Sequence, residues 1–103
     1  MAVAFLQEFP PSDDRSTTNY DAIAEKLRAD GTVPEGLLIH SAGFGEDGAF
    51  RIYDVWESRE QCERFQEERL MPAVREVLGE DMGGAPPPKQ QVYELHDVIV
   101  PGS

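Results

Sequence analysis

Apolar residues recur along this chain in two different rhythms, which predict its strands and helices. Apolar residues that alternate or cluster without breakers are typical of a strand, whereas a spacing of three or four residues is typical of a helix. The predicted elements follow the order β-α-β-β-α-β and cover residues 2–9, 18–29, 37–44, 50–57, 58–79 and 90–100. Loops rich in polar residues, Gly or Pro are expected at residues 12–16 and 79–89.

Capping residues and one proline refine the two predicted helices. Thr17 or Thr18 can cap the first helix, because a threonine oxygen accepts from the free backbone N–H groups of the first turn. Ser58, followed three residues later by Gln61, resembles a capping box at the start of the second helix. Pro72 lies inside that second helix and has no N–H to donate, so we expect a kink or a break there.

This order of elements predicts a ferredoxin-like α+β domain. Each β-α-β half implies a right-handed crossover, so both helices lie on the same face of a four-stranded antiparallel sheet. The chain has 103 residues, which is the length of one domain, and we expect residues 1–103 to form a single domain.

Alternation along the strands divides the sheet into two sets of side chains. The first set is mostly apolar and is predicted to contact the helices; it includes Ala4, Leu37, Ile39, Val55 and Tyr93. The second set mixes aromatic and polar side chains and is predicted to lie on the uncovered side; its principal members are Phe5, Gln7, Phe9, His40, Phe50, Asp54, Trp56, Glu94, His96 and Val98. Monomers rarely expose an apolar patch of that size, so a face-to-face homodimer with a pocket between the two sheets is expected.

Composition narrows the classes of partner and the cellular setting. Twenty acidic residues against nine basic ones give a net charge of −11, which argues against binding to nucleic acid or to an anionic membrane. The single Cys62 excludes an internal disulfide and a zinc site built mainly from cysteine. The longest apolar run, from Met1 to Leu6, is too short for a membrane span or a secretory signal core, and we expect a cytoplasmic protein.

Two segments resemble a known group of proteins. The Val55-Trp56-Glu57-Ser58 strand end before an acidic helix, and the strand from Leu38 to Gly43, are similar to the dimeric α/β-barrel superfamily, in particular its antibiotic-biosynthesis-monooxygenase-like domains. The resemblance covers nearly the whole chain and implies a homodimeric barrel with a cavity in each subunit. Members include quinone-forming monooxygenases that use no cofactor, dehydratases, isomerases and proteins with no assigned role, so the resemblance is compatible with a monooxygenase or an isomerase-like enzyme that uses no metal or flavin. Haem-degrading members carry a His on the second helix, and residues 58–79 contain none.

The polar residues of the second set form a candidate acid–base site. His40 and His96 are predicted to transfer protons, since histidine titrates near neutral pH, and Asp54 is predicted to orient one of them. A phenolic or enolic substrate would lose a proton and react further as a stabilised carbanion, as a cofactor-free oxygenase requires. The residues expected to shape the substrate pocket are Phe5, Gln7, Phe50, Trp56 and Glu94.

Two other interpretations use the same residues. His40, His96 and Asp54 could form a facial iron site, although no short His-x-x-x-His spacing supports it. Alternatively, the polar groups form a satisfied network at the interface of a non-catalytic homodimer that binds a ligand or has a structural role. An enzyme should show a pocket of at least ~300 Å³ on which a histidine and a carboxylate converge.

Overall fold

The computed structural model describes residues 1–11, 17–29, 31, 33–79 and 88–101. The predicted loop at 12–16 and most of the loop at 79–89 lie outside these ranges. The strands are β1 (Val3–Phe9), β2 (Leu37–Phe44), β3 (Phe50–Trp56) and β4 (Lys89–Glu94), and the helices are α1 (Thr18–Leu27), α2 (Arg59–Phe65), a π-helical segment (Gln66–Leu70) and α3 (Met71–Leu78).

The four strands form one antiparallel sheet in the order β2-β3-β1-β4. This is the ferredoxin-like arrangement, and it confirms the predicted fold class. β1 and β3 occupy the centre, so their side chains dominate the buried core; Val3, Phe5 and Trp56 are each less than 5% exposed. Among the described helices, none has the length and apolar character needed to cross a membrane.

The helices cover the opposite face of the sheet from the one predicted. Trp56 packs against Phe65 of α2 with ring centroids 5.1 Å apart, and Val3, Phe5 and Trp56 form a buried cluster with Cys62 of α2. We call this the helix-covered face; its members include Val3, Phe5, Phe9, His40, Phe50, Asp54 and Trp56. The other, to which no described helix packs, is the helix-free face; its members include Ala4, Leu6, Ile39, Tyr53, Val55 and Tyr93.

The inversion has a simple energetic cause. The stabilisation from burial scales with apolar area, so one Trp and several Phe residues outweigh a larger number of Ala, Ser and Val residues. A comparison based on how uniformly apolar each set is gives too much importance to the polar members of the aromatic set. The argument that the aromatic face needs a second copy to cover it is therefore wrong, because α1 and α2 already cover it.

A β-bulge in β2 corrects a second detail of the predicted faces. Leu37 lies opposite Trp56, whereas Ile39 lies opposite Val55, so one extra residue is inserted between these two pairs. Leu37 therefore packs against the buried cluster on the helix-covered face, not beside Ile39 as predicted.

The second helix is interrupted where Pro72 predicts an interruption. The π-helical segment Gln66–Leu70 comes immediately before, and Pro72 lies in the first turn of α3. Pro72 has no N–H, so it cannot donate the helical hydrogen bond to the carbonyl four residues earlier. The wider π-helical turn accommodates this missing bond. At the other end Ser58 caps α2 as predicted, since the Gln61 N–H donates to Ser58 Oγ over 3.2 Å, but Gln61 Oε1 accepts from the Ser58 hydroxyl over 3.0 Å in place of the backbone bond of a full capping box. Thr17 is the N-cap of α1, but its hydroxyl donates to the Asp21 carboxylate over 2.8 Å instead of capping the backbone.

The last strand is shorter than predicted. β4 ends at Glu94, and residues 95–100 continue without strand structure, although the Leu95 N–H still donates to the Ala2 carbonyl. His96 and Val98, which the prediction placed on a sheet face, therefore lie beyond the sheet.

Candidate active site

A chain of three side chains joins α1 to the edge of the sheet. His40 of β2 and Asp54 of β3 are direct cross-strand neighbours, so their side chains lie side by side on the helix-covered face. His40 Nδ1 lies 2.6 Å from Asp54 Oδ1, and His40 Nε2 lies 2.6 Å from the hydroxyl of Tyr20 on α1. The structure thus brings the predicted pair His40 and Asp54 together and adds Tyr20.

The chemistry of the partners assigns the protons in this chain. A carboxylate accepts but does not donate, so Nδ1 carries the imidazole proton and donates it to Asp54. Burial raises the pKa of Tyr20, with a further contribution from the nearby Asp54 charge, so Tyr20 keeps its proton and can donate it to an unprotonated Nε2. In the tautomer that the bond to Asp54 selects, Nε2 carries the lone pair that accepts the hydrogen bond.

The site sits at the rim of the helix layer, not deep in the core. The His40 side chain is 31% exposed, whereas that of Asp54 is 13% exposed. The carboxylate that orients the imidazole is thus the better shielded of the two, and the imidazole is within reach of a ligand.

An aromatic cluster lies next to the His40 ring. The Tyr20 ring is parallel to that of His40, at an interplanar angle of 7° and a centroid distance of 6.2 Å. Phe50 meets Tyr20 edge-on at 5.4 Å and also contacts Phe44 at 5.0 Å and Phe9 at 6.1 Å. Phe50, predicted to shape a substrate pocket, therefore lies one ring away from the polar chain.

The other predicted pocket residues are spread across the helix-covered face. Phe5 is buried beside Asp54 on the neighbouring strand, and Gln7 lies opposite Ile52. Trp56 is only 1% exposed, and its indole Nε1 has no hydrogen-bond partner among the described residues. These three residues belong to the packed layer under the helices.

The structure does not bring His96 or Glu94 to this site. Glu94 ends β4, at the sheet edge opposite β2, and His96 lies beyond it; both are exposed. Three strand spacings separate β4 from β2, which is roughly 14 Å across the sheet. Correspondingly, the described residues contain no group of three His, Cys, Asp or Glu side chains that could hold a metal ion, so the iron site of His40, His96 and Asp54 is not assembled.

Solved structures share this architecture at low sequence identity. Rv0793 from Mycobacterium tuberculosis superposes with a TM-score of 0.68 and 16% identity, over 95% of this chain and 98% of that one. The NE2512 protein of unknown function from Nitrosomonas europaea superposes with a TM-score of 0.70 and 14% identity, over 99% of this chain and 96% of that one. SnoaB, a cofactor-independent oxygenase from Streptomyces nogalater, superposes with a TM-score of 0.63 and 11% identity, over 95% of this chain and 96% of that one.

Further matches are named as candidate antibiotic biosynthesis monooxygenases. The fold is that of the antibiotic-biosynthesis-monooxygenase-like proteins. The resemblance inferred from the sequence is thereby confirmed at the level of the fold. The sequence itself matches no protein-family model, and no curated protein is detectably similar to it.

Within this monooxygenase-like fold, two depressions of the expected size lie away from His40. One of about 430 Å³ and one of about 360 Å³ open on the strand ends at the helix-free side. Their lining residues are Leu6, Glu8, Lys89, Gln90 and Gln91 for the first, and Ser41, Ala42, Gly43, Phe44, Gly45, Arg51 and Tyr53 for the second. His40 and Asp54 line neither of them and are paired with each other, so neither depression is the pocket, with a histidine and a carboxylate converging on it, that is expected of an enzyme.

Tyr20 is the member of the site that the sequence analysis missed as a functional residue. It falls within the predicted first helix, residues 18–29, and within α1 of the structure, but the sequence analysis assigns it no functional role. A signal was available, since the hydroxyl of an inward-facing tyrosine normally finds a polar partner. The partner itself, His40, lies twenty residues away and is identified only by the tertiary structure.

Proposed function

We propose that this protein is a cofactor-independent monooxygenase-like enzyme in which His40 is the general base. The observation that carries the proposal is the pair of 2.6 Å hydrogen bonds that fixes the His40 imidazole between Asp54 and Tyr20. A base needs a defined tautomer, an electron pair that can accept the substrate's proton, and a nearby anion to stabilise the positive charge that develops. Asp54 fixes the tautomer and supplies the anion, and Nε2 supplies the electron pair.

The proposed reaction begins with a proton transfer. Nε2 takes the proton of an acidic hydroxyl or activated CH group, and Asp54 stabilises the resulting imidazolium. The substrate anion, as a carbanion, then reacts with O₂ and itself provides the electrons, so that a CH₂ group and O₂ become a carbonyl group and water. SnoaB, which shares the fold, is a cofactor-independent oxygenase, and this supports the class of reaction.

The aromatic cluster supports a small hydrophobic substrate. Phe50 and Phe44 lie beside Tyr20 and His40, and Phe44 is 40% exposed. Flat apolar surfaces next to a single polar atom bind a ring and orient its polar substituent.

We further propose that the protein is a homodimer that associates through the helix-free face. Ile39 and Tyr93 on this face are 39% and 38% exposed, and they flank Val55 and Ala4 in the middle of the sheet. Two such faces packed together would enclose apolar area that the described helices leave uncovered. This interface differs from the one predicted from sequence, because the aromatic face is occupied by the helices.

The enzymatic proposal is tested by comparing the only two histidines of the chain. Hydroquinones are offered to the wild type, to His40→Gln and to His96→Gln, and O₂ uptake is recorded. We expect His40→Gln to lose at least about 100-fold in turnover, the usual contribution of a general base, while His96→Gln keeps wild-type turnover. Circular dichroism verifies that both variants are folded. Undiminished turnover by His40→Gln would contradict the proposal.

A second candidate function is a homodimer without catalytic activity. It is favoured by the mutual pairing of His40 with Asp54 and Tyr20, which satisfies the polar groups, and by the position of the two depressions away from them. In that case His40→Gln would lower the free energy of unfolding while no hydroquinone is consumed by the wild type.

A further inference from the structure

The atom of His40 that would face a substrate is already occupied by a phenol of the protein itself. The Tyr20 hydroxyl lies 2.6 Å from Nε2, and the two rings are parallel within 7°. Tyr20 therefore stands where the hydroxyl of a bound substrate would have to stand. Proton transfer from a substrate to Nε2 requires that Tyr20 leave this position.

The end of α1 away from Tyr20 is anchored by side chains of the π-helical segment and of α3. α1 contains no buried residue, and Tyr20 lies in its first turn. At the last turn, Arg69 donates to the Leu27 carbonyl over 2.7 Å, and Lys26 pairs with Glu76 over 2.8 Å. Within the part of the chain that the structure describes, Tyr20 meets the sheet through the hydrogen bond to His40 and the edge of Phe50. The Tyr20 side chain can thus leave Nε2 without dismantling the anchored end of the helix.

We propose that the Tyr20 hydroxyl occupies Nε2 of His40 until a ligand displaces it, and that it thereby determines which hydroxyl compounds bind. A ligand must replace the Tyr20 hydroxyl at Nε2, so the hydrogen bond it forms there has to outweigh the one that is lost. A weak donor such as an aliphatic alcohol gains little from that exchange. A phenol or enol more acidic than tyrosine gains more, because a stronger acid donates a stronger hydrogen bond to the same nitrogen.

The environment of Tyr20 favours this exchange. Burial raises the pKa of its hydroxyl, so Tyr20 is a weaker acid than an ordinary phenol and a weaker competitor for Nε2. The inference rests on the proposed role of His40 as the base, but it concerns binding and can be measured without turnover.

The test uses Tyr20→Phe, which removes one oxygen and keeps the ring, with Tyr93→Phe as the matched control on the helix-free face. Phenol, 4-nitrophenol and anisole are titrated against each protein, and dissociation constants are read from the imidazole NMR signals of His40. His40→Gln is titrated in parallel, with binding followed by calorimetry. Anisole has the shape of phenol but no proton to donate.

We expect Tyr20→Phe to bind phenol and 4-nitrophenol about three- to tenfold more tightly than the wild type, which is what one net hydrogen bond contributes. Anisole should bind all proteins alike, and Tyr93→Phe should behave as the wild type. Equal gains for phenol and anisole would overturn the inference, since Tyr20 would then only block space. Unchanged or absent phenol binding in Tyr20→Phe would also overturn it.

These outcomes are separable from the failure of the proposed function. Unchanged phenol binding in Tyr20→Phe, together with lost turnover in His40→Gln, overturns the role of Tyr20 and leaves His40 as the base. Phenol binding that persists in His40→Gln with wild-type affinity overturns the role of Tyr20, whereas only undiminished turnover of His40→Gln contradicts His40 as the base.

Discussion

The two faces of the sheet hold their apolar residues in different ways. On the helix-covered face, Trp56 and Phe5 are 1% and 4% exposed because α2 packs on them. On the helix-free face, Ile39 and Tyr93 keep more than a third of their surface, and only the small central residues Ala4 and Val55 are buried. The difference shows that the size of the side chains, more than the fraction that is apolar, decides which face the helices cover.

The polar groups of the two faces differ as well. The helix-covered face carries the chain Tyr20–His40–Asp54, in which each link is a single short hydrogen bond near the helix layer. The helix-free face carries Arg51, which donates to Glu8 over 2.9 Å and to both oxygens of Asp47 over 3.1 and 2.7 Å. The first arrangement holds the imidazole of His40 in one orientation, whereas the second ties the β2–β3 hairpin to β1.

The largest effect should come from truncating the helix-covered face. We expect Trp56→Ala to lower the free energy of unfolding by about 3–5 kcal/mol, because it leaves a cavity under α2. Tyr93→Ala on the helix-free face should cost roughly 1 kcal/mol, since much of that side chain is already in water. Urea unfolding followed by circular dichroism, at low protein concentration so that association contributes little, measures both. Equal losses would show that the two faces are equally well packed.

A charge placed on the helix-free face should separate the proposed dimer. We expect Ile39→Lys to raise the dissociation constant of the homodimer by at least about tenfold, because the interface would have to bury two unpaired charges. Val33→Lys is the control, since Val33 is 74% exposed and lies outside the sheet. Sedimentation velocity gives the mass of each species. A wild type that sediments as an 11.5 kDa monomer at all concentrations would contradict the dimer.

The smallest effect concerns acid stability and Asp47. The hydrogen bonds from Arg51, followed by that from the Ala49 backbone, lower the pKa of Asp47 from 3.8 to about 2. A carboxylate whose pKa is lowered on folding stabilises the protein above its unfolded value, and this contribution is lost as the pH falls from about 4 to about 2. Asp47→Asn should therefore be less stable than the wild type above pH 4, with the gap closing in that window.

Glu76→Gln provides the comparison for Asp47→Asn, because it removes an exposed ion pair from the helix layer instead of the hairpin. Thermal unfolding between pH 2 and pH 6 gives the difference in stability between each variant and the wild type. If the gap between Asp47→Asn and the wild type is constant over this range, Arg51 does not hold Asp47 in the manner described.

Much of the fold follows from local features of the sequence. The bounds of β2 agree with the prediction, and the interruption at Pro72 and the Ser58 cap also appear as predicted, because each depends on residues close together in the chain. Strand alternation also placed His40, Asp54 and Phe50 on a common face. The pairing of His40 with Asp54 then needed only the β2–β3 hairpin register, which the short connecting turn determines.

By itself, the sequence determined the order of the elements and, outside the bulge in β2 and the end of β4, which side chains share a face. Only the tertiary structure decided which face the helices cover, where the bulge in β2 moves Leu37, and that Tyr20 reaches His40 while His96 does not. The physical reason is the distance along the chain between the residues that interact. Periodicity, capping and turns act between neighbours in the chain, whereas the choice of face and the partner of a histidine depend on the summed burial of residues brought together from distant segments.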